Sequence, residues 1–187
     1  MCDKFIPLSV PVIQGNELKY VEDAIKTGWL AEGEYIKKFE DKIKEITGAR
    51  FAVALNSGTS GLFLALKVLE IGENDEVIAP TLTFIATINA IKYTGANVVF
   101  MDCDDYLNID ARKVAKFCEN ECDFVNGKLL NKITRKHIKA IMPVHIFGIP
   151  CDIFKLKEIA NKYNLKIIED ATESLGSSFE DGVSTGN

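Results

Sequence analysis

Nothing in this 187-residue chain stays apolar long enough to cross a bilayer: charged residues cut every hydrophobic stretch short of the roughly 20 residues a spanning helix needs. The N-terminal Met-Cys-Asp-Lys-Phe-Ile-Pro also lacks the uninterrupted apolar core of a secretory signal. Basic charge is short as well. Lys and Arg number 22 against 27 Asp and Glu, a formal charge of −5, and no basic stripe marks a nucleic-acid partner. The five cysteines (Cys2, Cys103, Cys118, Cys122 and Cys151) are odd in number and have no framework spacing, which excludes a disulfide scaffold. Cys118 and Cys122 would share a face if one helix held both, yet two thiols without nearby histidines make a poor metal site. Structural, inert thiols and a reducing, cytoplasmic compartment are the expectation. Internal repeats and low-complexity tracts are absent from the sequence, as is the Gly-Lys-Ser/Thr of a Walker loop.

What is present suits a packed core: 47% of residues are hydrophobic and 26% charged. Phe5 to Ile13 reads as extended. Asn16 then caps a helix with Leu18, Val21 and Ile25 on one face, stopped by Gly28. A second helix carries Tyr35, Phe39, Ile43 and Ile46, with Gly48 as its stop. From there strands and helices alternate. Strands are expected at Phe51–Leu55, Glu76–Ala79, Asn97–Met101, Ile138–Val144 and Leu165–Ile168. Helices are expected at Gly58–Leu69 and Thr83–Tyr93, from an Asp110 cap towards Cys118, and from an Asp152 cap to Tyr163. This order predicts an α/β fold of three layers, α/β/α, around a mostly parallel sheet. Right-handed crossovers place the strand C-termini along one edge. Residues 119–137 break the rhythm with polar residues and Asn126-Gly127, and read as a surface insertion or hairpin. The tail, Ser177 to Asn187, reads as a loop.

Ligands of open parallel sheets gather outside the strand C-termini, and four polar clusters fall there. Asn56-Ser57-Gly58-Thr59-Ser60-Gly61 joins a strand to a helix; its amides and hydroxyls suit a phosphate, or simply an N-cap. Thr81-Leu82-Thr83-Phe84 offers an aromatic that could stack on a flat ring or belong to the core. His145, one of two histidines, ends an apolar strand, where it serves either structure or site. Glu169-Asp170-Ala171-Thr172-Glu173 delivers carboxylates to the same edge. A carboxylate there needs a cation or several hydrogen bonds, and a protonated pyridine nitrogen is one such cation.

In this order the motifs Ser-Gly-Thr-Ser, Thr-Leu-Thr-Phe-Ile-Ala-Thr, His-Ile-Phe-Gly-Ile-Pro-Cys-Asp and Glu-Asp-Ala resemble the DegT/DnrJ/EryC1/StrS family of sugar aminotransferases. The resemblance implies a fold-type-I pyridoxal 5'-phosphate (PLP) enzyme, normally a homodimer, with this chain as the N-terminal part of the PLP-binding large domain over residues 1–187. The family's smaller C-terminal domain is not in this chain. By resemblance Ser57, Gly58 and Thr59 hold the PLP phosphate, Phe84 lies against the pyridine ring, and Asp170 pairs with the ring nitrogen as the electron-sink partner. Glu173 stands near the phenolic oxygen, where many members have glutamine or histidine, and His145 supports the site. The family's Schiff-base lysine falls beyond Glu-Asp-Ala. Here the last lysine is Lys166, inside a buried strand pattern, so this chain alone is expected to lack turnover. The implied reaction converts a nucleotide-linked 4-keto-6-deoxy sugar to its 4-amino sugar, with glutamate as donor, for surface polysaccharide or glycan synthesis. The phrases Met101–Asp110 and Glu173–Gly176 look like the bacillosamine and legionaminic acid branch, built on UDP-N-acetylglucosamine. Two alternatives stay open: an inactive truncated fragment, and a relative that dehydrates sugars instead of aminating them.

Overall fold

The computed structural model describes residues 5–7 and 10–187. Cys2 and part of the segment read as extended from Phe5 to Ile13 lie outside the described residues. Helix α1 (Glu17–Thr27) starts at Asn16 and ends on Gly28, and α2 (Glu34–Thr47) ends on Gly48. Both glycines are left-handed, at φ 75° and 79°, a conformation that costs glycine nothing and lets its amide reach back to the last-turn carbonyls. The apolar face read in α1 is there, but it is turned to solvent: α1 buries no residue.

The α/β alternation follows: α3 (Gly58–Val68), β1 (Asp75–Pro80), α4 (Ile85–Tyr93), β2 (Asn97–Met101), α5 (Ala111–Asn120), β3 (Cys122–Val125), β4 (Lys128–Asn131), β5 (His137–Ile141), α6 (Ile153–Tyr163) and β6 (Lys166–Ile167). The strands form one sheet in the order β2-β1-β5-β4-β3, with β6 also on β5. Strands β1, β2, β5 and β6 are parallel, and β3 and β4 form an antiparallel hairpin. Asn126 and Gly127 turn that hairpin at φ 51° and 74°, as the Asn-Gly pair predicts for a type I′ turn.

One edge of β5 is divided. Ile138 and His137 pair with β4, whereas Ala140 and Ile141 pair with β6. On its other edge Glu76 faces Ile138 and Val77 faces Ala140, so Lys139 is an extra residue, a bulge. The bulge puts Ile138 and Ile141 on the same face of the sheet, and both join the core beneath α5 and α6 with Ile78, Val114 and Leu156. The opposite face packs Val77, Ala79, Ala140 and Met142 beneath α3 and α4, against Leu66, Ala90 and Ile91. Two cores, one on each face, make the three layers.

Three expectations need correction. Phe51–Leu55 is not a strand. Its alternation is real, with Phe51, Val53 and Leu55 exposed, but no other strand among the described residues hydrogen-bonds to it, and a strand is defined by its ladder. Cys118 lies on α5 while Cys122 opens β3, so no single helix carries the pair. Lys166 is exposed rather than buried, because β6 is only two residues long and lies on the partly solvated edge of β5.

Candidate active site

Three chain segments that follow strands, and the start of α3, meet at one end of the sheet around a cavity of about 330 Å³. Gly58, Thr59, Phe84, Asp170 and Glu173, five of the residues singled out from sequence, line it. Ser57 is the N-cap of α3, and its Oγ accepts the amide of Ser60 at 3.2 Å. The amides of Gly58 and Thr59 have no hydrogen-bond partner among the described residues. A Cβ on Gly58 would project to 3.7 Å from the Thr172 hydroxyl, into the cavity between the two segments. Free amides at a helix N-terminus, where the helix dipole is positive, suit an anion such as phosphate.

Phe84 caps α4 in extended backbone and leaves 72% of its surface exposed. An aromatic ring of that exposure on a cavity wall gains little from the core and is free to meet a flat ligand.

Asp170 is the buried carboxylate of the site, 7% exposed. Its Oδ2 accepts the Thr87 hydroxyl at 2.6 Å, and its Oδ1 accepts the Thr172 hydroxyl at 2.7 Å and the Thr172 amide at 3.3 Å. Thr87, itself fully buried, exchanges a second hydroxyl contact of 2.9 Å with Thr83. All these donors are neutral, and no ion pair to Asp170 occurs among the described residues. A buried carboxylate oriented by neutral donors on a cavity wall is built to meet a cation. The residues present therefore fit PLP: amides for phosphate, a ring for the pyridine face, and a carboxylate for a pyridinium nitrogen.

Glu173 is held at the cavity mouth by the amide of Phe147, which donates to its Oε2 at 2.5 Å. That amide points there because Phe147 is left-handed, φ 53°, in the short 3-10 turn Ile146–Gly148. Asn108 braces the turn from below: its Oδ1 accepts the Ile146 amide at 3.2 Å and its Nδ2 donates to the Ile149 carbonyl at 3.1 Å. Gly148 follows at φ 80°, and a Cβ there would stand 3.1 Å from the Glu173 carbonyl, so the two segments pack backbone to backbone.

His145 does not line the cavity. Its ring is fully buried one layer behind, between Glu169 and Phe179. Thr83 and Thr172 fall inside two of the clusters read from sequence, whereas Thr87, which bonds Asp170, and Asn108, which braces the Ile146–Gly148 turn, were not read as site residues.

A larger cavity of about 730 Å³ opens beside Phe154 and Phe179, but its wall carries Asp104, Asp152 and Glu180 against one cation, Lys155, already paired with Asp152, a balance that disfavours a phosphate. The three buried thiols are held protonated. Burial, above all, pushes Cys118 up to about 12, Cys122 to about 11 and Cys151 to about 12. No group of three or more potential metal ligands occurs among the described residues.

Known proteins resemble this chain in sequence and fold. The chain is 40% identical over 178 residues to the GDP-perosamine synthase of Escherichia coli O157:H7, covering 95% of this chain and 45% of that protein. It is 34% identical over 181 residues to the UDP-4-amino-4-deoxy-L-arabinose–oxoglutarate aminotransferase of Shewanella sediminis, covering 96% of this chain and 42% of that one. Among solved structures, Spr1654 of Streptococcus pneumoniae in its PLP form superimposes with a TM-score of 0.81 at 29% identity, over 97% of this chain and 46% of that chain. The chain thus spans under half the length of these relatives. Spr1654 is seen in both PLP and PMP forms, and NtdA of Bacillus subtilis with bound PMP, which identifies the cofactor as PLP. The profile of the DegT/DnrJ/EryC1/StrS aminotransferase family matches residues 11–187, and the chain belongs to that family.

Proposed function

We propose that this chain is the cofactor-binding part of a PLP-dependent aminotransferase that converts a nucleotide-linked 4-keto-6-deoxy sugar to its 4-amino sugar, for surface polysaccharide or glycan synthesis. The observation that carries the reading is Asp170, a buried carboxylate held by neutral donors and facing the cavity that Phe84 and the α3 N-terminus also line. Ser57, Gly58 and Thr59 would bind the phosphate, Phe84 would cover a face of the ring, and Asp170 would pair with the ring nitrogen. PLP, when bound, supplies the electron sink that a 1,3-proton shift needs. The chain's own contribution is placement: Thr87 and Thr172 orient Asp170, and the Phe147 amide holds Glu173 at the mouth. Names of the relatives favour a nucleotide-linked sugar as acceptor, and one names oxoglutarate, the keto partner of glutamate, which supports glutamate as donor. The whole enzyme is proposed to act as a homodimer, with the exposed apolar face of α1 available for such an interface.

The test is a binding titration of the chain with PLP and with pyridoxal lacking phosphate, followed by fluorescence. PLP is expected to bind much the more tightly. Equal affinities would sink the assignment of the α3 N-terminus. Asp170→Ala should keep the fold by circular dichroism and lose PLP, and unchanged affinity would move the nitrogen's partner elsewhere.

A further inference from the structure

Glu169 and Asp170 are neighbours in the segment just past β6, yet their side chains part. Asp170 lines the cofactor cavity, and Glu169 reaches into the layer behind it. There its Oε2 meets His145 Nε2 at 3.1 Å and accepts the Gly186 amide at 3.1 Å. The other ring nitrogen of His145, Nδ1, accepts the Cys151 amide at 3.1 Å. An accepting Nδ1 carries no proton, so the ring's proton sits on Nε2 and is donated to Glu169. The tautomer is thereby set by a backbone amide. Burial drives the Glu169 carboxyl upward, but the bonds from His145 and Gly186 outweigh it, and the net shift is downward. Backbone bonds tie the same two segments together: Asp170 N donates to Pro143 O at 2.9 Å, and His145 N donates to Asp170 O at 3.2 Å.

The segment bearing Asp170 is therefore held by two backbone bonds along its edge and one charge-assisted bond from its back. None of the groups on that back face touches the cavity, and the site described above uses none of them. We infer that Glu169 and His145 are positioning residues for the cofactor, fixing through their buried hydrogen bond the angle at which Asp170 presents its carboxylate to the pyridine nitrogen. This rests on the PLP reading of the cavity. In metal sites the partners one layer behind a ligand orient it, and losing one costs about 10–100-fold in affinity; the same logic applies to a carboxylate that must face a ring nitrogen.

The experiment uses the chain with PLP alone, labelled with 15N at the pyridine nitrogen. With the unaltered chain the nitrogen resonance should lie at the protonated position. In Glu169→Gln, which keeps the shape and removes the charge, it should move towards the unprotonated position, with PLP binding about tenfold weaker. A role in stability alone would lower the melting temperature and leave that resonance in place, and this outcome overturns the inference while sparing the PLP reading. PLP failing to bind the unaltered chain overturns both. Should Glu169→Gln not fold, 15N-histidine labelling of the unaltered chain decides. The His145 Nε2 resonance should shift on adding PLP, and an unmoved resonance overturns the inference.

Discussion

Thr87→Val removes one hydroxyl and leaves the shape almost intact, so it isolates the bond from Thr87 to Asp170. The residue is fully buried in α4 and its Oγ1 lies 2.6 Å from Asp170 Oδ2, so no water can enter to replace it. A hydrogen bond to a charged group contributes about 1.5–3 kcal/mol. A chain of this size loses about 2–4 °C of melting temperature per kcal/mol, so the variant should melt about 3–12 °C below the unaltered protein. With a typical stability of roughly 5–15 kcal/mol it should still fold. Thr87→Ser is the control: it loses a methyl group, about 1 kcal/mol, and keeps the donor. Thermal unfolding followed by circular dichroism, with and without PLP, measures both. PLP should recover part of the deficit in Thr87→Val, because a pyridinium gives Asp170 a charged partner. A Thr87→Val melting point within about 1 °C of the unaltered protein, or one matched by Thr87→Ser, would refute the assignment of that bond.

Other expectations follow from the same geometry. Asn108→Ala removes both braces of the Ile146–Gly148 turn and leaves the buried Ile146 amide unpaired; a loss of about 2–4 kcal/mol should appear in urea unfolding, and an unchanged midpoint would show that the turn holds without it. Phe147→Gly relieves a left-handed φ on a residue 70% exposed and should raise stability by about 1 kcal/mol, read from the same midpoint. Because burial raises the Cys118, Cys122 and Cys151 thiols to about 12, 11 and 12, a disulfide reagent at pH 8 should label them only after unfolding. The sign of the linkage is that the folded state keeps these protons when the unfolded chain has lost them. Their share of stability is intact below the ordinary thiol value of 9.0 and declines as pH climbs towards the folded values. Rapid labelling of Cys151 in the folded chain would contradict its burial.

Much of this fold is legible because periodicity and caps agree. Strand β2 falls on Asn97–Met101 as read, and Asp110 and Asp152 cap α5 and α6 with their carboxylates on backbone amides. The Phe51–Leu55 expectation failed because alternation marks a segment able to pair, while pairing itself depends on a neighbour that no local pattern specifies. The last strand shrank to Lys166–Ile167 for a related reason, since the hairpin already occupies half of the β5 edge it shares. In the site, Gly58, Thr59, Phe84, Asp170 and Glu173 could be found together because each follows or caps an element at the same sheet edge. Thr87 could not. It sits inside a helix, where a threonine is ordinarily indifferent, and only the fold places it against a residue 83 positions away. His145 was read as serving either structure or site, and the residues alone could not tell a cavity wall from the layer behind it, where the ring lies.

The divided edge of β5 separates two ends of the molecule. The hairpin pairs with His137 and Ile138, where β5 begins, and the cavity lies past Val144, where the strand has run out. The connection from the hairpin into β5, residues 132–135, lies at that beginning, and its Ile133 is 84% exposed. For protein engineering this makes the exposed Ile133 a natural port. An affinity peptide or fluorescent reporter spliced there would hang from the end of the sheet remote from the cofactor, so the chain can be handled, immobilised or watched without a foreign segment crowding the pocket.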